Sequence, residues 1–158
     1  MSCKTIFLSL CVALIAFNAV QGGGFNAKRY VVIAKSVDFF EAWHECNSIE
    51  GYLAPVESLD DQNRLELALA NSNNPDGIYY IGGTEIGRKA RWMWIALNQK
   101  ISDKGFTNFY PGEPNNLGGR QGCLTVGNWK GEQQRGKWDD SECDKKLDGF
   151  VCAYPSCG

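Results

Sequence analysis

Two short clusters of oxygen-bearing side chains carry the chemistry of this chain. Glu113 and Asn115 flank Pro114 in the run Tyr110-Pro111-Gly112-Glu113-Pro114-Asn115-Asn116. Asp139 and Asp140 follow Trp138 in the run Lys137-Trp138-Asp139-Asp140-Ser141-Glu142-Cys143. Carboxylates and carboxamide carbonyls are what a hard cation such as calcium takes, roughly six to eight oxygens in a flexible shell. Neither cluster has a histidine or a catalytic thiol beside it. The single histidine, His44, falls in a helical segment beside Trp43 and Cys46, and no serine or cysteine has an identifiable base partner. A pair of carboxylates is also the equipment of a glycosidase, but Asp139 and Asp140 are better explained as metal ligands. The pattern points to a calcium-dependent binding module and away from an enzyme.

Regular elements must hold these clusters in place. Ser36 is the expected N-cap of a first helix in which Phe39, Ala42, Trp43, Cys46 and Ile49 recur at helical spacing, with Gly51 as its stop. Ser58 caps a second helix with Asp60 and Asp61 in its first turn and Leu65, Ala68 and Leu69 as its apolar stripe. The cluster Asn71-Ser72-Asn73-Asn74-Pro75-Asp76-Gly77 ends it. Strand-type runs follow at Ile78–Ile81, Trp92–Ile95 and Gly149–Tyr154, and Tyr30–Ile33 opens the domain. Between residues 98 and 137 regular patterning is scarce, while Phe106, Phe109, Tyr110, Trp129 and Trp138 argue against disorder. That stretch reads as an ordered binding loop. Trp129 is either a ligand-stacking surface or loop core.

Residues 1–22 read as a secretory signal peptide: Lys4, an apolar run from Ile6 to Phe17 broken by Ser9, and small residues at Val20-Gln21-Gly22. The run is too short for a membrane span, which needs roughly 20 apolar residues. Its removal leaves residues 23–158, which are 136 residues and enough for one domain. It takes Lys4 and no acid, so 15 basic against 18 acidic residues give a charge of −3. That excludes the basic signature of a nucleic-acid binder. The short run Lys130 to Lys137 contains Glu132 and reads as a solvated loop. Cys46, Cys123, Cys143, Cys152 and Cys157 remain and should oxidise in a secreted protein. Five is odd, spacing leaves the pairing open, and no Cys-x-x-Cys marks a zinc site.

These features, in this order, resemble the C-type lectin-like domain over about residues 28–155. Tyr80-Ile81-Gly82-Gly83 is similar to the family's Trp-Ile-Gly-Leu. Trp92-x-Trp94 is similar to the strand pair that follows it, Gly112-Glu113-Pro114-Asn115 to the long-loop motif of mannose-type members, and Trp138-Asp139-Asp140 to Trp-Asn-Asp. The resemblance implies an α+β fold of two helices flanking small antiparallel sheets, with a long calcium- and sugar-binding loop. It implies disulfides Cys46–Cys152 and Cys123–Cys143, each worth roughly 3–5 kcal/mol on the loop-entropy model. It leaves Cys157 unpaired within the chain and suited to an intermolecular link.

The resemblance also implies five calcium ligands that bind sugar as well: Glu113, Asn115, Gln121, Asp139 and Asp140, with the Glu113–Pro114 bond cis. Two positions depart from the family pattern. Gln121 stands where Glu is usual and Asp139 where Asn is usual, so Glu113, Asp139 and Asp140 still supply three negative charges. Charge count largely sets calcium affinity, expected at roughly 0.1–1 mM or weaker. Donor and acceptor have changed places, since Gln121 can donate to a sugar hydroxyl and Asp139 cannot. Asn116 resembles part of an auxiliary calcium site, but Gly122 stands where another acid would help. The implied function is that of a secreted, extracellular, calcium-dependent lectin for mannose-type glycans on microbial or host glycoproteins, with a role in innate immunity. The alternative is a lectin-like module that binds protein and no sugar.

Overall fold

A computed structural model of the protein describes residues 27–102, 104–129 and 134–155. The expected signal peptide at residues 1–22, Cys157 and Lys130 lie outside the described residues. Strand β1 (Lys28–Ile33) leads to helix α1 (Phe39–Ser48), then β2 (Tyr52–Leu53), helix α2 (Leu59–Ala70), β3 (Ile78–Thr84), β4 (Met93–Trp94) and β5 (Gln99–Lys100). A short 3-10 turn at Leu117–Gly119 precedes β6 (Gln121–Gly127), β7 (Trp138–Glu142) and β8 (Gly149–Pro155). Among the described residues no helix is long and apolar enough to cross a membrane.

The strands form one branched sheet. The path β1-β8-β3-β4-β5 is its spine, β2 joins β8, and β6 bridges β3 to β7. Pairing is antiparallel save for β3 beside β8. Alternation along a strand sends successive side chains to opposite faces, and here both faces are covered. On one face Tyr79, Ile81, Leu124, Val126 and Val151 pack with Leu65 and Leu69 of α2 and with Trp94 and Trp138. On the other, Tyr80, Phe150 and Leu53 pack with Phe39, Ala42 and Cys46 of α1. Strands buried on both faces read as near-continuous apolar runs, as Ile78-Tyr79-Tyr80-Ile81 does. Cys46–Cys152 ties α1 to β8, and Cys123–Cys143 ties β6 to the end of β7, the pairing the resemblance implies.

Several local expectations are corrected. The N-cap of α1 is Asp38, not Ser36: the Asp38 carboxylate accepts from Glu41 N–H at 2.9 Å, and Glu41 accepts from Asp38 N–H at 3.2 Å. That reciprocal box satisfies two otherwise unpaired N–H groups. The helix ends at Ser48 with Ile49 as its C-cap, and Glu50, not Gly51, takes the positive φ of 58°. The strand expected at Trp92–Ile95 shortens to Met93–Trp94. The stretch from 98 to 137 contains strands β5 and β6, of which β6 pairs with both β3 and β7. At Gly83 an added Cβ would lie 2.3 Å from Leu124 Cδ1. The side chain of β6 fills the place that the family's leucine would take.

Candidate functional site

Trp138 explains how the two oxygen clusters meet. Its side chain is fully buried, with Trp94, Phe106 and Phe109 packed edge-on at ring centroids 5.5, 5.9 and 5.3 Å away. Its backbone binds the incoming loop on both sides: Trp138 N–H donates to Asn108 O and Tyr110 N–H donates to Trp138 O, each at 2.9 Å. Two further bonds fasten the same seam, Lys137 Nζ to Asn108 Oδ1 at 2.7 Å and Asn108 Nδ2 to Gly136 O at 2.9 Å. Segments 108–110 and 136–138 thus run side by side. Glu113 leaves one of them three residues on, and Asp139 and Asp140 leave the other at once.

Ligand atoms from Glu113, Asp139 and Asp140 lie within 4.8 Å of one another. The Glu113–Pro114 peptide is cis. Asn115 N–H donates to Glu113 Oε2 and to Asp140 Oδ1, both at 3.1 Å, and Asn116 N–H donates to Asp140 Oδ2 at 2.8 Å. Asp140 is 1% exposed, whereas Asp139 and Glu113 are half-buried and Asn115 is exposed. Asn116 holds a left-handed φ of 49°, which asparagine tolerates, and its Oδ1 accepts from Gln121 N–H at 3.0 Å.

Three converging acids make an unfavourable set without a counter-ion. Burial, then the charges of Glu113 and Asp140, push the Asp139 carboxyl up to about 6. The Asp140 carboxyl is also raised, chiefly by burial, although the N–H groups of Asn116 and Asn115 pull the other way and the charge of Glu113 adds to the rise. Calcium–oxygen distances are about 2.3–2.6 Å, so two ligands on opposite sides of one ion stand about 5 Å apart. Oxygens within 4.8 Å of one another therefore fit a single ion, and an all-oxygen donor set suits a hard one.

Gln121 borders this cluster, but its carboxamide serves the loop. Oε1 accepts from Leu117 N–H at 2.6 Å and Nε2 donates to Asp140 O at 3.0 Å. Trp129 is half-buried against the α1-side core, its indole N–H donates to Thr125 Oγ1 at 3.0 Å, and Lys145 Nζ stands 5.1 Å from its ring centroid. Trp129 thus packs against that core and also lines the cavity that takes in Asp139 and Asp140. His44 is exposed on α1.

One positioning residue escaped the sequence reading. Gln62 of α2 is 2% exposed. Its Oε1 accepts from Trp138 Nε1 at 3.0 Å, and its Nε2 donates to Gly136 O and to Glu66 Oε1, each at 2.7 Å. A second-helix side chain thus clamps the strand that presents Asp139 and Asp140. The signal that could have found it is a glutamine three residues before Leu65, at a position the helix turns inward.

Comparison with known proteins agrees with this architecture. The family model for the Lectin C-type domain matches residues 35–154. E-selectin from Canis lupus familiaris is 30% identical over 140 residues, covering 87% of this chain and 21% of that protein. Ladderlectin from Oncorhynchus mykiss is 27% identical over 127 residues, covering 80% of this chain and 63% of that protein. Perlucin from Haliotis laevigata is 27% identical over 114 residues, covering 72% and 68%. The chain spans between 21% and 34% of the length of the first curated relatives it matches. Among solved structures, the cow carbohydrate-recognition domain of CD23, crystallised in the presence of a GlcNAc2Man3 oligosaccharide, superposes with a TM-score of 0.69 at 24% identity, over 85% of this chain and 92% of that one. Human lithostathine gives 0.70 at 19% identity, over 82% and 93%. At these identities the structural likeness speaks for the fold.

Proposed function

Because the chain belongs to the C-type lectin domain family, we propose that it is a secreted, calcium-dependent lectin for mannose-type glycans, used in innate recognition of microbial or host glycoproteins. The observation that carries this reading is the convergence of Glu113, Asp139 and Asp140 on one point beside the Glu113-Pro114-Asn115 turn. Glu113, Asp139 and Asp140 hold the ion with Asn115, and Gln121 adds its carbonyl oxygen, which keeps a second lone pair beyond the bond from Leu117. Bound there, calcium supplies coordination positions for two neighbouring hydroxyls of a sugar. The side chains do the orienting. Carboxylates of Glu113 and Asp139 accept from those hydroxyls, and the Asn115 carboxamide donates to them. The buried Asp140 fixes the loop through Asn115 and Asn116. The order Glu-Pro-Asn favours equatorial 3- and 4-hydroxyls, as in mannose.

Retention on immobilised mannose in millimolar calcium, followed by EDTA elution, tests the reading. Retention and release are expected. Passage through mannose and through a panel of other neutral glycans, in the presence of calcium, would overturn it and favour the protein-binding alternative.

A further inference from the structure

The acidic cluster has a basic neighbour. Arg120 and Gln121 form a wall shared by two cavities. One, of about 610 Å3, takes in Asp139, Asp140 and Trp129. The other, of about 310 Å3, takes in Glu85, Arg88, Lys89, Asn116 and Gly122. The turn between β3 and β4 supplies Glu85 to Lys89 to the second. Glu85 N–H donates to Gly122 O at 3.0 Å, Arg88 N–H to Glu85 O at 3.0 Å and Arg91 N–H to Arg88 O at 3.2 Å. The Glu85 carboxylate is turned onto the turn itself, accepting from Ala90 N–H at 2.5 Å. Arg120 is committed to Glu142 at 2.6 Å. Arg88, Lys89 and Arg91 are exposed, and among the described residues none has a carboxylate within ion-pair distance. At Gly122 an added Cβ would rest in ordinary contact, 3.7 Å from both Cys143 Sγ and Glu85 Cγ. In a chain whose net charge is −2, three cations within four residues, beside a cavity that adjoins the acid cluster, make a local field of reversed sign.

We propose that this cavity is a subsite for an anionic group, sulfate or carboxylate, on a glycan whose neutral residue occupies the acidic cluster. The inference rests on the glycan-binding reading and extends it to acidic oligosaccharides. Arg88 offers a planar fork that matches either oxyanion, and Lys89 a mobile point charge. Both are solvent-exposed, so the attraction is screened over about 10 Å at 0.1 M salt. The effect on affinity is therefore about tenfold at low salt rather than larger.

Three matched mannose-terminated oligosaccharides test it: one neutral, one sulfated and one carrying a uronic acid. Each is titrated in calcium at about 50 mM and about 300 mM sodium chloride against the whole protein and against the R88S/K89S double variant. The charged glycans should bind the natural protein about tenfold more tightly than the neutral one. The advantage should shrink at the higher salt and vanish in the variant, with neutral affinity kept. Whether the sulfate or the uronic acid gains more identifies the preferred anion. Equal affinity for all three glycans, or an undiminished advantage in the variant, overturns the subsite alone. Failure of the natural protein to bind the neutral glycan in calcium overturns the reading beneath it as well.

Discussion

Around α1 and β8 the structure is held by burial. Phe39, Ala42, Cys46, Leu53, Phe150 and Cys152 are inaccessible to solvent, a disulfide crosses the packed face, and charges lie outside it. The loop from Phe106 to Gln121 is held differently. Phe106, Phe109 and Tyr110 anchor its base on Trp138, but beyond Tyr110 most residues are exposed, and the connections are hydrogen bonds to Asp140 and Gln121. Glu113, Asp139 and Asp140 also repel one another, which with burial raises the Asp139 carboxyl. The first region is stable on its own account. The second spends stability to hold a cation site, and its order should follow the cation.

Breaking the apolar region should leave the site intact. The C46A/C152A pair should lower unfolding free energy by about 3–5 kcal/mol in urea melts. Calcium affinity, measured where the variant is still folded, should not change; a parallel loss of affinity would merge the two regions into one. Breaking the site should do the reverse. Asp140→Asn should weaken calcium binding about a hundredfold, close to 2.7 kcal/mol, while the urea midpoint in EDTA changes little, because relief of one of three converging charges offsets the one backbone N–H bond that a carboxamide cannot accept. A lower midpoint in EDTA would show that Asp140 is a structural residue first.

Gln62→Leu probes the joint between them. It strands the Trp138 indole N–H, while the Gly136 carbonyl keeps the bond from Asn108 Nδ2, a cost of about 2 kcal/mol. It should also weaken calcium binding about threefold. Unchanged calcium affinity at the lower stability would reduce Gln62 to a packing residue.

The smallest effect is in pH. Asp139 is pushed up to about 6 in the metal-free fold, so between the ordinary carboxylate range and about 6 the folded state binds more protons than the unfolded one. The stability this group contributes is present below that window and is lost as pH rises through it. Calcium binding runs the other way, because the proton must leave first: affinity should be about tenfold weaker at pH 5 than at pH 7.5. Both slopes should flatten in Asp139→Asn. A slope that survives the substitution would assign the proton elsewhere.

What was legible in the sequence was mostly local. The Ser58 cap and the Leu65/Leu69 stripe of α2 read correctly because a helix end and a helix face are written within one segment. The Asp38-x-x-Glu41 box is equally local, and its reciprocal bonds place the cap at Asp38, two residues beyond Ser36. Strand β6 was missed for a physical reason. Cys123 faces one core and Leu124 and Val126 the other, while Thr125 is buried between them. No polar face remains to give alternation, and glycines bracket the run. Residue types named the oxygen donors, but only the family resemblance said that Glu113 and Asp139 meet. Gln62 binds Trp138 across a separation of 76 residues, and nothing near Gln62 encodes that partner.

The central claim is that the acids of the loop and of β7 form one calcium site. Calorimetric titration of calcium into the metal-free protein and into its Asp140→Asn variant at pH 7.5 addresses it directly. A single site at roughly 0.1–1 mM in the natural protein, and none in the variant over the same range, is the predicted result. Absence of binding in both, or equal binding in both, would contradict it.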